Sequence, residues 1–140
     1  MLSRSTLMFV SAFLIFAIYL GLSGGHKVDC GRFDYTERLN GGSKEILGQQ
    51  YLITICGSGT GNGGLYADDP PDVAEIKVSD RAGHVLVRRY LTIEWDNPLG
   101  HRALSIDHAG INYQDDADQK NYVIPVPPSF SEQLKAKFLF

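Results

Sequence analysis

An uncharged apolar segment near the amino terminus constrains this chain more than any other feature. Leu7 to Leu22 contains no charged residue, and neutral flanks extend the uncharged stretch from Ser5 to Gly25. At about 1.5 Å per residue, a helix of that length measures about 31 Å, enough to span a bilayer core. Arg4 is the only charged side chain before it, so we expect the basic end to stay in the cytoplasm.

Two fates are open for this segment. Ser23 and Gly25 have the small-residue spacing of a signal-peptidase site, which would make His26 the first residue of the mature protein. The long apolar run instead favours an uncleaved anchor, which is the fate we predict. We therefore expect an inner-membrane protein with its domain in the periplasm, the alternative being a soluble periplasmic protein after cleavage.

The predicted organisation has three parts. They are a signal anchor or signal peptide over residues 1–25, a tether over 26–34, and a β-rich extracytoplasmic domain over 35–140. The last two parts carry 12 Lys and Arg against 16 Asp and Glu, a formal charge of −4. Because nucleic-acid binding needs clustered cations, this balance argues against a nucleic-acid partner.

The two cysteines, Cys30 and Cys56, are predicted to form a disulfide. An even, low cysteine count in an exported domain usually means a structural bond. By the loop-closure model, this one would stabilise the fold by about 3.5 kcal/mol. It would also attach the tether to the domain.

Short alternating segments predict an antiparallel β-sandwich or open barrel of six to seven strands with one short C-terminal helix. Asp80–Gly83 and Asp107–Gly110 have the Asp and Gly spacing of type I hairpin turns. The Arg88–Arg89 pair suggests a β-bulge at that point. The predicted strands cover residues 51–56, 73–79, 85–95, 103–106, 111–113 and 122–126.

The C-terminal helix is predicted to begin at a capping box, Ser129 to Glu132, and to continue to about Leu139. Phe130, Leu134 and Phe138 recur every four residues and would form one apolar stripe. Since so short a helix is marginal alone, the stripe is expected to dock on the sheet and bury Leu134. If Leu134 is exposed instead, the stripe is available to a binding partner.

A run of glycines is the candidate binding loop, over Gly57–Gly64. Gly59, Gly61 and Gly64 have the spacing of a dinucleotide-binding motif, but the following residues cannot open the helix which that motif requires. We therefore predict no cofactor. The glycines assigned to the candidate loop are Gly57, Gly59, Gly61, Gly63 and Gly64.

Two acidic clusters and a group of three residues, two of them histidines, are candidate metal or catalytic sites. Neither acidic cluster matches a complete calcium loop, so both are expected to be solvated acidic loops. Trp95, with Tyr90 and Tyr113, is expected in the core rather than in a sugar platform. We predict neither a metal site nor catalytic residues. The candidate residues are Asp68, Asp69 and Asp72 in one loop, Asp115, Asp116 and Asp118 in another, and Asp96, His101 and His108 as a zinc or general-base site.

Three segments resemble a group of small exported or membrane-anchored proteins of Gram-negative bacteria. They are Ile55–Gly59, Ile76–Tyr90 and Trp95, and the resemblance covers most of residues 50–128. It implies export and carries no activity with it. The strand-turn-strand element around Asp80–Gly83 is also similar to many immunoglobulin-like bacterial modules.

The sequence thus predicts a non-enzymatic, envelope-facing interaction or structural domain. Its expected partners are the membrane, through the N-terminal helix, and another protein. A secreted inhibitor of a foreign hydrolase would belong to the same class. The alternative is a small-ligand or ion-binding module that uses the Gly57–Gly64 loop and the acidic loops.

Overall fold

The computed structural model describes residues 28–60 and 71–138. Within these ranges the chain forms seven strands and one helix. The predicted N-terminal helix lies outside the described residues, and no helix inside them is long and apolar enough to cross a membrane. The elements are β1 (Gly42–Ile46), β2 (Gln49–Gly57), β3 (Asp72–Asp80), β4 (Val85–Ile93), β5 (Ser105–Asp107), β6 (Gly110–Asp115), β7 (Lys120–Ile124) and α1 (Phe130–Phe138).

The strands form two antiparallel sheets that resemble a sandwich. Sheet A has the order β1-β2-β3-β4, and sheet B has the order β5-β6-β7. This confirms the predicted mostly-β class, and six of the seven strands were predicted. β1 was missed because its sequence, GSKEI, has one β-branched residue and weak alternation.

A single apolar core lies between the two sheets. In β3 the residues Ala74, Ile76 and Val78 point inward, next to Ile55 and Ile53 of β2 in the ladder. Sheet B contributes further apolar side chains to the same core, which is why the short strands β5–β7 remain attached to sheet A. Those contributed by sheet B and the segments flanking it are Leu104, Ile111, Tyr113, Ile124 and Val126.

Both predicted hairpin turns are present. Gly83 has φ +86°, and its amide donates to the carbonyl of Asp80 at 3.0 Å. In the second turn, Asp107 Oδ1 accepts the amide of Ala109 at 2.7 Å. The Asp and Gly positions therefore serve backbone geometry, as the sequence pattern predicted.

The bulge predicted at Arg88–Arg89 is wrong. The ladder between β3 and β4 is irregular at Ser79, which pairs with Val85 while Val78 pairs with Val87. Arg89 keeps its place on the inner face opposite Ile76. The position accepts a cation because helix α1 supplies a carboxylate there.

The predicted disulfide is confirmed, because Cys30 and Cys56 are bonded to each other. The segment around Cys30 also hydrogen-bonds to the second half of β2. The amide of Asp29 donates to the carbonyl of Gly57 at 2.9 Å, and that of Gly57 donates to Phe33 at 2.8 Å. This segment therefore continues the edge of sheet A beyond β1.

Candidate functional site

The first two glycines of the candidate loop are packed against aromatic rings. A side chain at Gly57 would collide with the ring of Tyr35, and one at Gly59 would collide with the ring of Phe33. Gly59 also has φ +70°, which favours glycine. These two glycines therefore have a structural reason to be where they are, whereas Gly61, Gly63 and Gly64 lie outside the described residues.

Asp72 is a fully buried carboxyl that binds this end of β2. Its Oδ1 accepts the side chain of Ser58 at 2.9 Å and the amide of Gly59 at 2.9 Å. Its Oδ2 accepts the hydroxyl of Tyr35, and the indole nitrogen of Trp95 lies 3.5 Å away. The expectation that Asp72 belongs to a solvated acidic loop is therefore wrong, because donors from three segments surround it.

The ring of Trp95 joins this carboxyl to the neighbouring loops. It meets the ring of Tyr35 edge-on at 4.8 Å, and the guanidinium of Arg38 lies 3.8 Å from its centroid. The pKa of Tyr35 is raised to about 12, and burial is the largest cause. The hydrogen bond to Asp72 and the negative charge of Asp72 raise this pKa further. Trp95 is partly buried against the core, as predicted.

His101 lies beside the carboxylate of Asp116, whereas the sequence grouped it with Asp96. Its Nδ1 is 2.9 Å from Oδ2 of Asp116, and the two side chains are 1% and 0% exposed. The same oxygen accepts the amide of Glu94 at 2.9 Å. The pair therefore ties the loop after β4 to the end of β6. Asp96 and His108 are exposed and do not join it.

The acidic loop at 115–118 supports the backbone instead of forming a metal cluster. Asp115 accepts the amide of Thr92 at 3.1 Å, and Asp118 accepts that of Lys120 at 3.1 Å. The loop was expected to be solvated, and for Asp116 that expectation is wrong because the residue is buried. No group of three or more His, Cys, Asp or Glu side chains in the described ranges could hold a metal ion. Asp68 and Asp69 lie outside those ranges.

Helix α1 docks on β4, but with a different face from the one predicted. Ala136 is buried at 8% exposure, and Glu132 forms an ion pair with Arg89. Phe130 is 77% exposed and Leu134 is 46% exposed. The expected burial of Leu134 in the core is therefore wrong, because Phe130 and Leu134 face outward; the side chain of Phe138 lies outside what the structure describes.

One of the two hydrogen bonds of the capping box is present, and the missing one explains which face of α1 packs on β4. The hydroxyl of Ser129 accepts the amide of Glu132 at 3.3 Å, as an N-cap should. The side chain of Glu132 does not return to the Ser129 amide, because it pairs with Arg89 instead. A partly buried ion pair and the small residue Ala136 thus decide which face of α1 meets the sheet.

Several polar residues with structural roles could not be found by motif. Tyr35 is 37 positions from Asp72, and His101 is 15 from Asp116, so neither pair has a recognisable spacing. The only sequence signal at Asp72 was its position at the start of an alternating strand. For α1, the available sequence signal was a pair of opposite charges: Glu132 in the predicted helix, and Arg89 on the otherwise apolar face of β4.

Comparison with known proteins gives no match. No family model, no curated protein and no solved structure matches this chain.

Proposed function

We propose that this chain is a non-enzymatic periplasmic domain, held at the inner membrane by its N-terminal apolar segment, that binds another protein through the outer face of α1. The outer face of α1 is defined by Phe130, Leu134, Lys135 and Lys137. The observation that carries the proposal is the exposure of two large apolar side chains on a helix that is already docked by its opposite side. Exposed apolar groups grouped on one element typify interaction surfaces.

The geometry of the helix places the four residues together. At about 100° per residue, Phe130 and Leu134 are about 40° apart, and the buried Ala136 is about 160° from Leu134. Lys135 and Lys137 then lie on either side of the apolar stripe, about 100° and 60° from Leu134. The outer face therefore combines an apolar centre with a basic border, in which the ammonium of Lys135 also lies 3.7 Å from the carboxylate of Glu132.

This combination specifies the chemistry of the partner. An apolar groove receives the stripe in helix-in-groove recognition, and acidic residues beside the groove would attract the two lysines. The acidic balance of the rest of the domain makes this basic border distinctive. We therefore propose an acidic protein surface with an apolar groove.

A membrane surface has related chemistry but fits less well. Binding of an interfacial helix scales with the apolar area that it buries in the lipid, and typical examples present a long apolar face. Among the side chains of this nine-residue helix that the structure describes, the outer face offers two large apolar ones. That area suits a protein groove better than a bilayer.

Photo-crosslinking in cells that express the full chain tests the proposal. A photoreactive phenylalanine analogue at Phe130 should yield an adduct with one protein, identified by mass spectrometry. The same analogue at Leu47, which is 68% exposed in the β1–β2 turn, is the matched control and should not yield it. Lipid adducts at Phe130, or equal adducts at both positions, would contradict the proposal.

Binding of the identified protein, once purified, then tests the charge argument. Replacing both lysines, as Lys135→Glu with Lys137→Glu, should weaken its binding to the full chain about tenfold at low ionic strength. The difference should shrink as salt is added, because exposed charges are screened. An unchanged affinity at low salt would remove the acidic partner from the proposal.

A further inference from the structure

The outward face of sheet B is mostly polar. Along β6, Ile111 and Tyr113 point into the core, so Asn112 and Gln114 point outward. Neighbouring strands add to this face in register, because Ser105 pairs with Asn112, and Gln114 pairs with Asn121. The result is an amide-rich surface that also carries the exposed side chain of Val123, the partner of Asn112 in β7.

The segment before β5 forms a wall beside this face. Two adjoining depressions of about 320 Å³ and 260 Å³ lie between them, and both are lined by Arg102, Gln114 and Asn121. We call the two together the Arg102 groove. Their volumes are near the lower end for small-molecule sites, ~300–1,000 Å³.

Arg102 is available for an anion. Arg88 and Arg89 form ion pairs with Glu75 and Glu132, and Arg38 packs on Trp95. Within residues 28–60 and 71–138, the exposed guanidinium of Arg102 has neither a hydrogen bond nor an ion pair. A planar guanidinium binds carboxylates through two parallel hydrogen bonds.

The amides beside Arg102 are oriented by two carboxylates, of which Asp116 is buried and Asp107 itself lines the larger depression. Asn112 donates its NH₂ to Asp107 at 2.9 Å, and Gln114 donates its NH₂ to Asp116 at 2.8 Å. Because a carboxylate here must face the NH₂ group, the two amide oxygens are left as acceptors. Fixed acceptors of this kind suit ligand hydroxyl groups.

We propose that the Arg102 groove binds an acidic sugar, with its carboxylate on Arg102 and its hydroxyls on the amides of Asn112 and Gln114. The groove offers hydrogen-bonding groups to a ring bearing several hydroxyls, and only Leu99 and Ala103 offer aliphatic side chains. An apolar ligand would lose its hydrophobic contacts there. This site uses neither the Gly57–Gly64 loop nor α1, and it is independent of the protein partner proposed above.

The test is a ligand titration of the full chain in detergent micelles, followed by saturation-transfer NMR. The probes are D-glucuronate, D-glucose and acetate. Glucuronate should bind with a Kd of about 1 mM, and glucose and acetate should each bind about tenfold more weakly. If glucose binds as tightly as glucuronate, Arg102 has no role in recognition. If acetate binds as tightly as glucuronate, the ligand hydroxyl groups have no role.

Variants locate the site. Arg102→Gln should weaken glucuronate binding about tenfold without changing the melting temperature, and Asn121→Ala should weaken it several-fold. Arg81→Gln is the matched control, since Arg81 is an exposed arginine in the β3–β4 turn, away from the groove. No binding of glucuronate by the wild type, or equal binding by Arg102→Gln, would overturn the proposal.

Discussion

Asp72 joins the two chain segments that flank residues 61–70. Ser58 and Gly59 donate to it from the end of β2, and the carboxyl itself begins β3. Thr60 also donates to the carbonyl of Pro71 at 3.2 Å. A buried carboxyl is stabilised only when donors satisfy both oxygens, as they do here.

Tyr35 is the residue through which this arrangement can be measured. Its pKa is raised to about 12 because burial and the neighbouring Asp72 disfavour the phenolate. A raised folded-state pKa gives stability that is complete below about pH 10, the unfolded value, and is lost as pH approaches 12. Tyr35→Phe should therefore lose stability relative to wild type below pH 10, with the difference shrinking between pH 10 and 12.

Ultraviolet absorbance of the phenolate checks this prediction directly. The wild type should show one tyrosine ionising near pH 12 that is missing in Tyr35→Phe. Tyr90, Tyr113 and Tyr122 also have raised pKa values, so the difference spectrum between the two proteins is the relevant measurement. A Tyr35 transition near pH 10 would show that the contact with Asp72 is not formed in solution.

At the scale of single residues, sequence patterns identified roles that depend on near neighbours. Asp80, Gly83 and Asp107 have turn roles set within four positions, and these were predicted. Asp72 and Asp116 were expected to be solvated but are buried. Their burial depends on donors from strands and loops that are distant in sequence, so it could not be predicted from near neighbours. The free guanidinium of Arg102 likewise depends on what the fold places beside it.

At the scale of an element, helix α1 also has some features that near neighbours in sequence determine and others that distant residues determine. Its existence, start and approximate length followed from the cap at Ser129 and the proline pair before it. Its docked face did not follow, because periodicity favoured the larger apolar side chains. Docking was decided instead by Ala136 and by the ion pair between Glu132 and Arg89.

The docked face leads to a stability prediction for α1. Ala136→Glu should lower the free energy of unfolding by about 2–4 kcal/mol, because it buries a charge against β4 without a partner. Ser131→Glu is the control on the same helix, and it should change stability by no more than about 0.5 kcal/mol, since Ser131 is exposed. Urea unfolding of both variants measures this. Equal stability of the two would mean that α1 does not dock through Ala136.

Strands were predicted where side-chain pattern alone determines them. β2, β3 and β4 have continuous or alternating apolar residues, which their place in one sheet explains. β1 depends on its ladder with β2, where Ile46 pairs with Gln49 across a tight turn. That pairing depends on the hairpin as a whole, so the residues of β1 alone do not predict it.

At the scale of the whole molecule, the predicted anchor would place the domain close to a bilayer. Cys30 is bonded to β2 and lies only five positions after Gly25. Five extended residues reach at most about 18 Å, so an uncleaved anchor would hold the disulfide-linked edge of sheet A near the membrane surface.

Membrane retention is the corresponding prediction. After cell fractionation and alkaline extraction, the protein should remain in the membrane pellet with an intact amino-terminal segment. Amino-terminal sequencing of the purified protein provides the check. A soluble periplasmic form that begins near His26 would replace the anchor with a cleaved signal peptide.

The most direct test of the proposed function is Leu134→Gln in the full chain, with melting temperature and crosslinking at Phe130 measured on the same variant. Leu134 lies on the outer face of α1, so the melting temperature should stay within about 4 °C of wild type. The protein adduct at Phe130 should disappear, because a polar side chain at position 134 would no longer fit the apolar groove of the partner. A fall of roughly 8 °C or more would make Leu134 a core residue, and an undiminished adduct would show that the stripe does not bind the partner.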